Sequence, residues 1–266
     1  MPGTKNYKKT LSEVYVWILP VLSVPVLFGI KISSNLEIFI GAVLFHLVII
    51  GLALWSLTSP GKIKLNPIAT ITSILLIVGA ACTFISATTF PTTNLDAIYS
   101  NKFGHYWTSI GFFISQLIFL SGMTYMNGCI KKRDDKTSIH KTGYLLVISG
   151  GILWLIHLSF RITAMVWAAD EKAASGIVHK FYEATELWAG SLYVSYMILT
   201  YFGIALYGIA FKKSGVLPAW FGTSTIIFGI LAATLFAIGV GPFGMPIMIQ
   251  LAPWLAGIFL LKSVKG

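Results

Sequence analysis

Charged residues are scarce in this 266-residue sequence. Only 11% of the residues are Asp, Glu, Lys or Arg, whereas soluble domains usually contain about 25%. Hydrophobic residues make up 56% of the chain, and the mean hydropathy is +0.82. This balance excludes an ordinary soluble domain and predicts an integral membrane protein.

Acidic residues are the scarcer of the two charge types, nine against 19 Lys and Arg, which gives a formal net charge of +10. The basic residues stand in short tracts between long apolar runs. Their asymmetry therefore indicates membrane topology and no nucleic-acid partner. No run of acidic residues lies within the apolar stretches, and this argues against a proton pump or an ion-coupled transporter.

Cysteines and motifs that define catalytic sites are equally rare. Cys82 lies within one apolar run and Cys129 at the end of another, so the two form neither a disulfide framework nor a metal-binding spacing. A nucleophile elbow, a P-loop and a helical HExxH motif are all missing. The sequence therefore assigns no reaction to the chain.

Long apolar stretches are what the sequence has in abundance. A membrane-spanning helix needs about 20 apolar residues, and eight stretches approach or exceed this length. They cover residues 13–31, 37–57, 67–89, 107–127, 143–168, 187–211, 219–239 and 244–261. We therefore predict an all-α, polytopic helical bundle that forms a single transmembrane domain over residues 1–266.

Basic residues divide unequally between the predicted loops. With the N-terminus inside, fourteen Lys and Arg residues fall in inner segments and four in outer segments, and Arg161 is the nineteenth. The positive-inside rule then predicts that both termini are cytoplasmic. Tryptophans near the predicted span ends support this register: Trp17, Trp55 and Trp220 on the inner side, and Trp107, Trp167 and Trp188 on the outer side.

Two predicted outer loops are longer than a tight connection requires. They cover residues 90–106 and 169–186. The second contains no proline and has a helical pattern from about Ser175, so we expect the sixth span to begin outside the membrane and to project outward.

The most unusual residue inside an apolar stretch is Arg161, one helical turn after His157. An arginine at the centre of a bilayer costs about 3 kcal/mol or more, so a compensating partner is expected. One interpretation is an anion site, in which the guanidinium clamps a carboxylate, a phosphate headgroup or a haem propionate. The other is an arginine that reaches the outer interface or pairs with Glu183 or Glu186 and so holds helices together.

A second constellation lies in the segment HKFYEATELW, where His179, Glu183 and Glu186 share one helical stripe. One interpretation is a site for zinc, iron or manganese, formed by this histidine and the two carboxylates with His105 as a further ligand. The spacing matches no established zinc motif. An acidic, hydrated helix face is the alternative interpretation.

A third constellation pairs His46 with His157, both near the predicted bilayer centre. Two axial imidazoles can hold a b-type haem there, with Arg161 one turn outward for a propionate. Neutral histidines that form hydrogen bonds between helices are the alternative.

From Arg161 in LSFRI onward, the sequence resembles the C-terminal half of a family of uncharacterised prokaryotic multi-pass membrane proteins that is catalogued as a domain of unknown function. The resemblance covers about 100 of the 266 residues. It is carried by Arg161, by the closing segment LAGIFLLKSVKG and by a central signature made of Gly208, Lys213, Ser214, Gly215, Leu217, Pro218, Trp220 and Gly222. It implies a membrane fold, a prokaryotic cytoplasmic membrane and an arginine of interest, without a known activity.

Together these features predict an eight-span protein with a pocket in its outer half, formed by the fourth, fifth and sixth spans. Its leading function is non-catalytic: an accessory subunit of a larger membrane complex, or a binder of a lipid or small amphipathic anion. The predicted ligand-binding residues are Arg161, His157, Glu183 and Glu186. The alternative is a redox protein with haem between His46 and His157, or with a metal at His105, His179, Glu183 and Glu186.

Overall fold

A computed structural model describes residues 11, 14–19, 36–58, 67–87, 94–133 and 138–263 of the chain. Every regular element in these ranges is helical. Residues 14–19 form a helical segment, and the rest of the first predicted span lies outside the described residues. The remaining helices are α1 (Leu36–Thr58), α2 (Pro67–Ala87), α3 (Leu95–Ser100), α4 (Lys102–Lys131), α5 (Ile139–Ser175), α6 (Lys180–Ser214), α7 (Ala219–Ala237) and α8 (Pro246–Ser263), with a short 3₁₀ turn at Gly241–Gly244.

Five of these helices, α2, α4, α5, α6 and α7, are long and apolar enough to cross a membrane. The apolar segments of the other two long helices are shorter, Leu44–Trp55 in α1 and Pro246–Lys262 in α8. The helical class of the prediction is therefore confirmed. The count of eight spans stays a prediction.

The second predicted outer loop, residues 169–186, is mostly helical: α6 begins before the predicted sixth span, as expected, but α5 also extends into the loop. Helix α5 continues through this region to Ser175, and α6 begins at Lys180, so the connection is only residues 176–179. The segment AADEKAAS consists mostly of strong helix formers, which extends α5 beyond its apolar part. Gly176, with a φ of 72°, ends the helix in the left-handed conformation, and its N–H donates to the Lys172 carbonyl at 2.8 Å.

The first outer loop is also more regular than predicted. Asn94 caps α3 by accepting a hydrogen bond from the Asp96 N–H at 2.9 Å. Asn101 caps α4 by accepting from the Gly104 N–H at 3.0 Å. Asparagine side chains at helix starts satisfy N–H groups that have no partner within the helix, and α4 consequently begins five residues before the predicted span.

Neighbouring helices in the bundle pack in antiparallel pairs, α2 with α4, α4 with α5, α5 with α6 and α6 with α7. Helix α8 packs against α2, and the side chains of Trp154 and Trp254 are fully enclosed in the main core. A separate core cluster lies at the end of the bundle that carries α3. It joins α3 to the second half of α5 and the first turns of α6, through Leu95, Ile98, Phe160, Val166 and Tyr182.

Candidate functional site

Arg161 lies on α5 at the junction between the main bundle and the cluster around α3. Its side chain is buried, with a residue exposure of 6%. The phenols of Tyr182 and Tyr193, both on α6, are close enough to interact electrostatically with the guanidinium. Burial of a guanidinium is costly unless polar groups surround it, so the polar side chains around Arg161 define the candidate site.

His105 brings helix α4 into this site. Its Nε2 lies 2.8 Å from the Arg161 carbonyl oxygen. Because a carbonyl only accepts hydrogen bonds, the Nε2–H of His105 is the donor. The imidazole is buried, with an exposure of 2%, and its Nδ1 has no partner among the residues that the structure describes.

His157 lies one turn before Arg161 and connects α5 to α6. Its Nδ1 donates a hydrogen bond to the Ala189 carbonyl at 2.9 Å. Its ring stacks on Trp154, with a centroid separation of 5.1 Å and an interplanar angle of 12°, and Tyr193 lies 5.3 Å away. These contacts hold the ring one helical turn before Arg161, and the hydrogen bond of His157 connects α5 to α6.

Tyr182 completes the arrangement from the first turn of α6. Its ring stacks on Phe160 at 6.0 Å, and the residue is 3% exposed. Its hydroxyl has no hydrogen-bond partner within the described ranges. Both Arg161 and Glu186 interact electrostatically with this phenol.

The structure thus gathers His105, His157, Arg161, Tyr182 and Tyr193 from α4, α5 and α6. These helices contain the predicted fourth, fifth and sixth spans. Glu183 and Glu186, which we predicted as ligand-binding residues, are exposed on α6. Glu186 follows Tyr182 by one helical turn on α6, and its carboxylate interacts electrostatically with the Tyr182 phenol.

The four predicted metal ligands do not come together. His105 is buried against α5, whereas His179 is exposed and its ring lies 6.3 Å from that of Trp167. No group of three or more His, Cys, Asp and Glu side chains that could hold a metal ion occurs among the described residues. His105 and the exposed stripe on α6 have different environments because the histidine points toward the α5 backbone.

His46 and His157 have separate sets of neighbours. His46, on α1, forms a hydrogen bond with the Tyr15 hydroxyl, and its ring lies 5.8 Å from that of Tyr15. Helix α1 packs on α2, whereas His157 packs against α6. These contacts correspond to the alternative interpretation of both residues, histidines that form hydrogen bonds between helices, and none of them points to a shared haem.

Two site residues, Tyr182 and Tyr193, were not predicted from the sequence. A tyrosine carries no charge at neutral pH, so a search for ionisable groups in apolar stretches passes over it. The available signal was the position of Tyr182 directly beside Glu183 in the segment HKFYE. Which face of α6 is buried decides its role, and that face is fixed only by packing.

Comparison of the chain with protein-family models, with curated proteins and with solved structures finds no match.

Proposed function

We propose that this protein is an eight-span membrane protein, with both termini in the cytoplasm of a prokaryote, that binds an amphipathic anion at Arg161. The anion is a membrane lipid or a small anionic molecule with an apolar part. The observation that carries this proposal is the buried guanidinium, surrounded by polar side chains from three different helices. We also propose that the chain belongs to the uncharacterised prokaryotic family that its C-terminal part resembles.

The position of Arg161 along α5 supports contact with a lipid headgroup. Arg161 lies about 33 Å beyond Ile139 at a rise of about 1.5 Å per residue, which is close to the hydrocarbon thickness of about 30 Å. Trp188 is exposed and adjoins Ala189, the hydrogen-bond partner of His157. Tryptophans prefer the headgroup level, so a bilayer aligned in this way ends close to Arg161.

The opposite end of the bundle supports the proposed orientation. Arg133 donates a hydrogen bond from Nη1 to the Gly215 carbonyl at 2.8 Å, which places the end of α4 beside the turn between α6 and α7. Exposed basic residues cluster there: Lys131, Lys132, Arg133, Lys141, Lys212 and Lys213. A basic end of this kind is typical of the cytoplasmic side.

The chemistry of the guanidinium explains why an anion is the expected ligand. Arginine carries five N–H donors in a planar fork and stays charged at all physiological pH values. A carboxylate or phosphate can accept two of these donors at once. The apolar surroundings of α5 and α6 then accommodate the hydrophobic part of the molecule.

The test compares Arg161→Gln with Arg133→Gln, which changes an exposed arginine at the other end of the bundle. Each protein is purified in a mild detergent, and its bound lipids and amphiphiles are identified by mass spectrometry. We expect the unchanged protein and Arg133→Gln to retain an anionic amphiphile that Arg161→Gln loses. Equal retention of every anion by all three proteins contradicts the proposal. Loss of a co-purified membrane protein in Arg161→Gln, with no change in bound anions, favours the accessory-subunit alternative instead.

A further inference from the structure

Two buried polar atoms beside Arg161 have no hydrogen-bond partner within the described part of the chain, Nδ1 of His105 and the hydroxyl of Tyr182. Both side chains are almost fully enclosed. Both interact electrostatically with Arg161. Buried polar groups are usually paired, so Nδ1 of His105 and the Tyr182 hydroxyl, each on a side chain that interacts with Arg161, are candidate contacts for a bound molecule.

The two atoms require opposite partners. His105 already donates from Nε2 to the Arg161 carbonyl, and in the neutral imidazole this leaves Nδ1 as an acceptor that needs a donor. The Tyr182 hydroxyl has a hydrogen to donate, and its natural partner is an anionic oxygen. A molecule that satisfies both atoms and also pairs with the Arg161 guanidinium therefore offers a charged oxygen and a hydroxyl hydrogen within one small group.

We propose that the anion bound at Arg161 is a phosphate group that keeps one hydroxyl, as in a phosphate monoester. Its charged oxygens accept hydrogen bonds from Arg161 and Tyr182, and its P–OH group donates to Nδ1 of His105. This proposal rests on the anion binding proposed above and names the class of anion.

Other anions leave one of the two atoms unpaired. A carboxylate, a sulfate ester and a phosphodiester all provide charged oxygens, but none keeps an acidic hydroxyl near neutral pH. Nδ1 of His105 would then face an acceptor or nothing at all. A site that provides a buried acceptor discriminates strongly against a ligand that lacks the matching donor, because the acceptor stays unpaired.

The experiment measures binding to the full-length protein in mild detergent at about pH 6, near the second pKa of a phosphate monoester. The probes are phosphatidic acid, which is a phosphate monoester, and phosphatidylmethanol, a phosphodiester with the same acyl chains. Near this pH much of the phosphatidic acid carries a single charge, as phosphatidylmethanol does. We expect phosphatidic acid to bind at least about tenfold more tightly, the difference that one buried hydrogen bond supplies.

Two conservative variants test the two atoms separately. Tyr182→Phe removes only the hydroxyl, and His105→Gln keeps a donor for the Arg161 carbonyl but removes Nδ1. We expect Tyr182→Phe to weaken the binding of both lipids, because each of them offers charged oxygens. We expect His105→Gln to weaken phosphatidic acid alone and to bring the ratio of the two affinities close to one. Tyr106→Phe, an exposed tyrosine on α4, is the matched control and is expected to change neither.

Inorganic phosphate added as a competitor separates two sources of the same group. If inorganic phosphate displaces phosphatidic acid at a similar concentration, the natural ligand is free phosphate. If inorganic phosphate does not displace it, the natural ligand is a lipid headgroup. Both results support a phosphate group that keeps one hydroxyl, and the first contradicts the apolar part of the ligand proposed above.

Equal affinity of the unchanged protein for the two lipids overturns the phosphate-monoester proposal, and so does a preference that persists in His105→Gln. Suppose that the unchanged protein binds the two lipids equally well and that Arg161→Gln binds neither. Anion binding at Arg161 then stands, and only the identity of the anion is wrong. If Arg161→Gln binds both lipids as the unchanged protein does, the proposed function fails as well.

Discussion

Polar side chains within the apolar helices mostly form hydrogen bonds that connect one helix to another or return to their own helix. The hydroxyls of Thr83 on α2 and Ser115 on α4 are 2.7 Å apart in the core. Ser115 also donates to the Phe112 carbonyl at 3.2 Å. Since hydroxyls have partners within their own helix, an interhelical bond of this type is expected to contribute modestly to stability.

We predict a coupling energy of about 0.6 kcal/mol between Thr83 and Ser115. The measurement is a double-mutant cycle of Thr83→Val and Ser115→Ala, with unfolding followed in mixed micelles. Ser121→Ala is the control, because Ser121 is exposed on α4 and its hydroxyl donates to the Leu117 carbonyl of its own helix. A coupling energy above about 2 kcal/mol would mean that the pair holds the two helices together, contrary to this expectation.

At the level of single residues, the candidate site was predictable from the sequence only in part. Arg161 and His157 were identifiable from the sequence, because ionisable residues are rare in apolar stretches and cost free energy there. The role of His105 was not identifiable from the sequence, because its ring forms a hydrogen bond with a backbone carbonyl 56 residues away. Glu183 and Glu186 have the right charge for Arg161 but are exposed on α6, and a stripe of charges does not reveal which side chains are buried.

At the level of helices, glycine determines how closely α6 and α7 approach. A Cβ at Gly208 would lie 2.7 Å from the Gly222 carbonyl oxygen and 2.7 Å from the Ile226 nitrogen. Both atoms belong to the α7 backbone and cannot move without separating the helices. Small residues at such contacts provide much of the association energy between membrane helices, because they allow the backbones to touch.

We therefore predict that Gly208→Ala destabilises the bundle by about 1 to 3 kcal/mol. Gly190→Ala is a matched control on the same helix, because a Cβ at Gly190 would have no neighbour within 4 Å. Alanine is the better helix former, so this control should leave stability unchanged or raise it slightly. Thermal unfolding in detergent measures both, and equal melting temperatures for the two variants would contradict the close packing of α6 on α7.

Ion pairs hold α3 and the start of α4 against the extended end of α5. The Lys172 Nζ lies 2.7 Å from Asp96 Oδ2, and Lys102 pairs with Asp170. All four side chains are partly or largely exposed. Solvent screens such pairs, so the apolar contacts of Leu95 and Ile98 with α5 are expected to contribute more to this attachment.

For the pair of Asp96 and Lys172 we predict a coupling energy of about 0.2 to 1 kcal/mol. A double-mutant cycle of Asp96→Asn and Lys172→Gln measures it at low salt. At about 1 M salt the screening length falls to about 3 Å, and the coupling should approach zero. A coupling that persists undiminished at high salt would show that the pair is shielded from solvent, against this prediction.

Across the whole molecule, large apolar side chains are exposed along the long helices, among them Leu44, Leu145, Ile152, Ile230 and Leu231. Exposed apolar surface of this extent is unfavourable in water. Lipid chains can cover it without a free-energy cost, and the exposed residues are then the surface that a bilayer contacts. The basic residues at one end and the α3 cluster at the other define the two sides of this surface.

We predict that the two ends lie on opposite sides of the membrane, with the basic end inside. Ala174→Cys and Lys213→Cys change exposed residues at the two ends of the bundle, and are made in a background with Cys82→Ala and Cys129→Ala. A membrane-impermeant maleimide added to intact cells should label the variant at position 174, and the variant at position 213 only after lysis. The reverse pattern would invert the proposed topology.

The sequence by itself determined the helical membrane class and most helix positions, because apolar length and helix-ending residues act locally along the chain. Only the tertiary structure decided that His105, Tyr182 and Tyr193 come close to Arg161. The physical reason is that lipid-facing and packed faces of such helices are almost equally apolar. Contacts between distant helices alone select which face is buried, and with it which polar atoms meet the guanidinium.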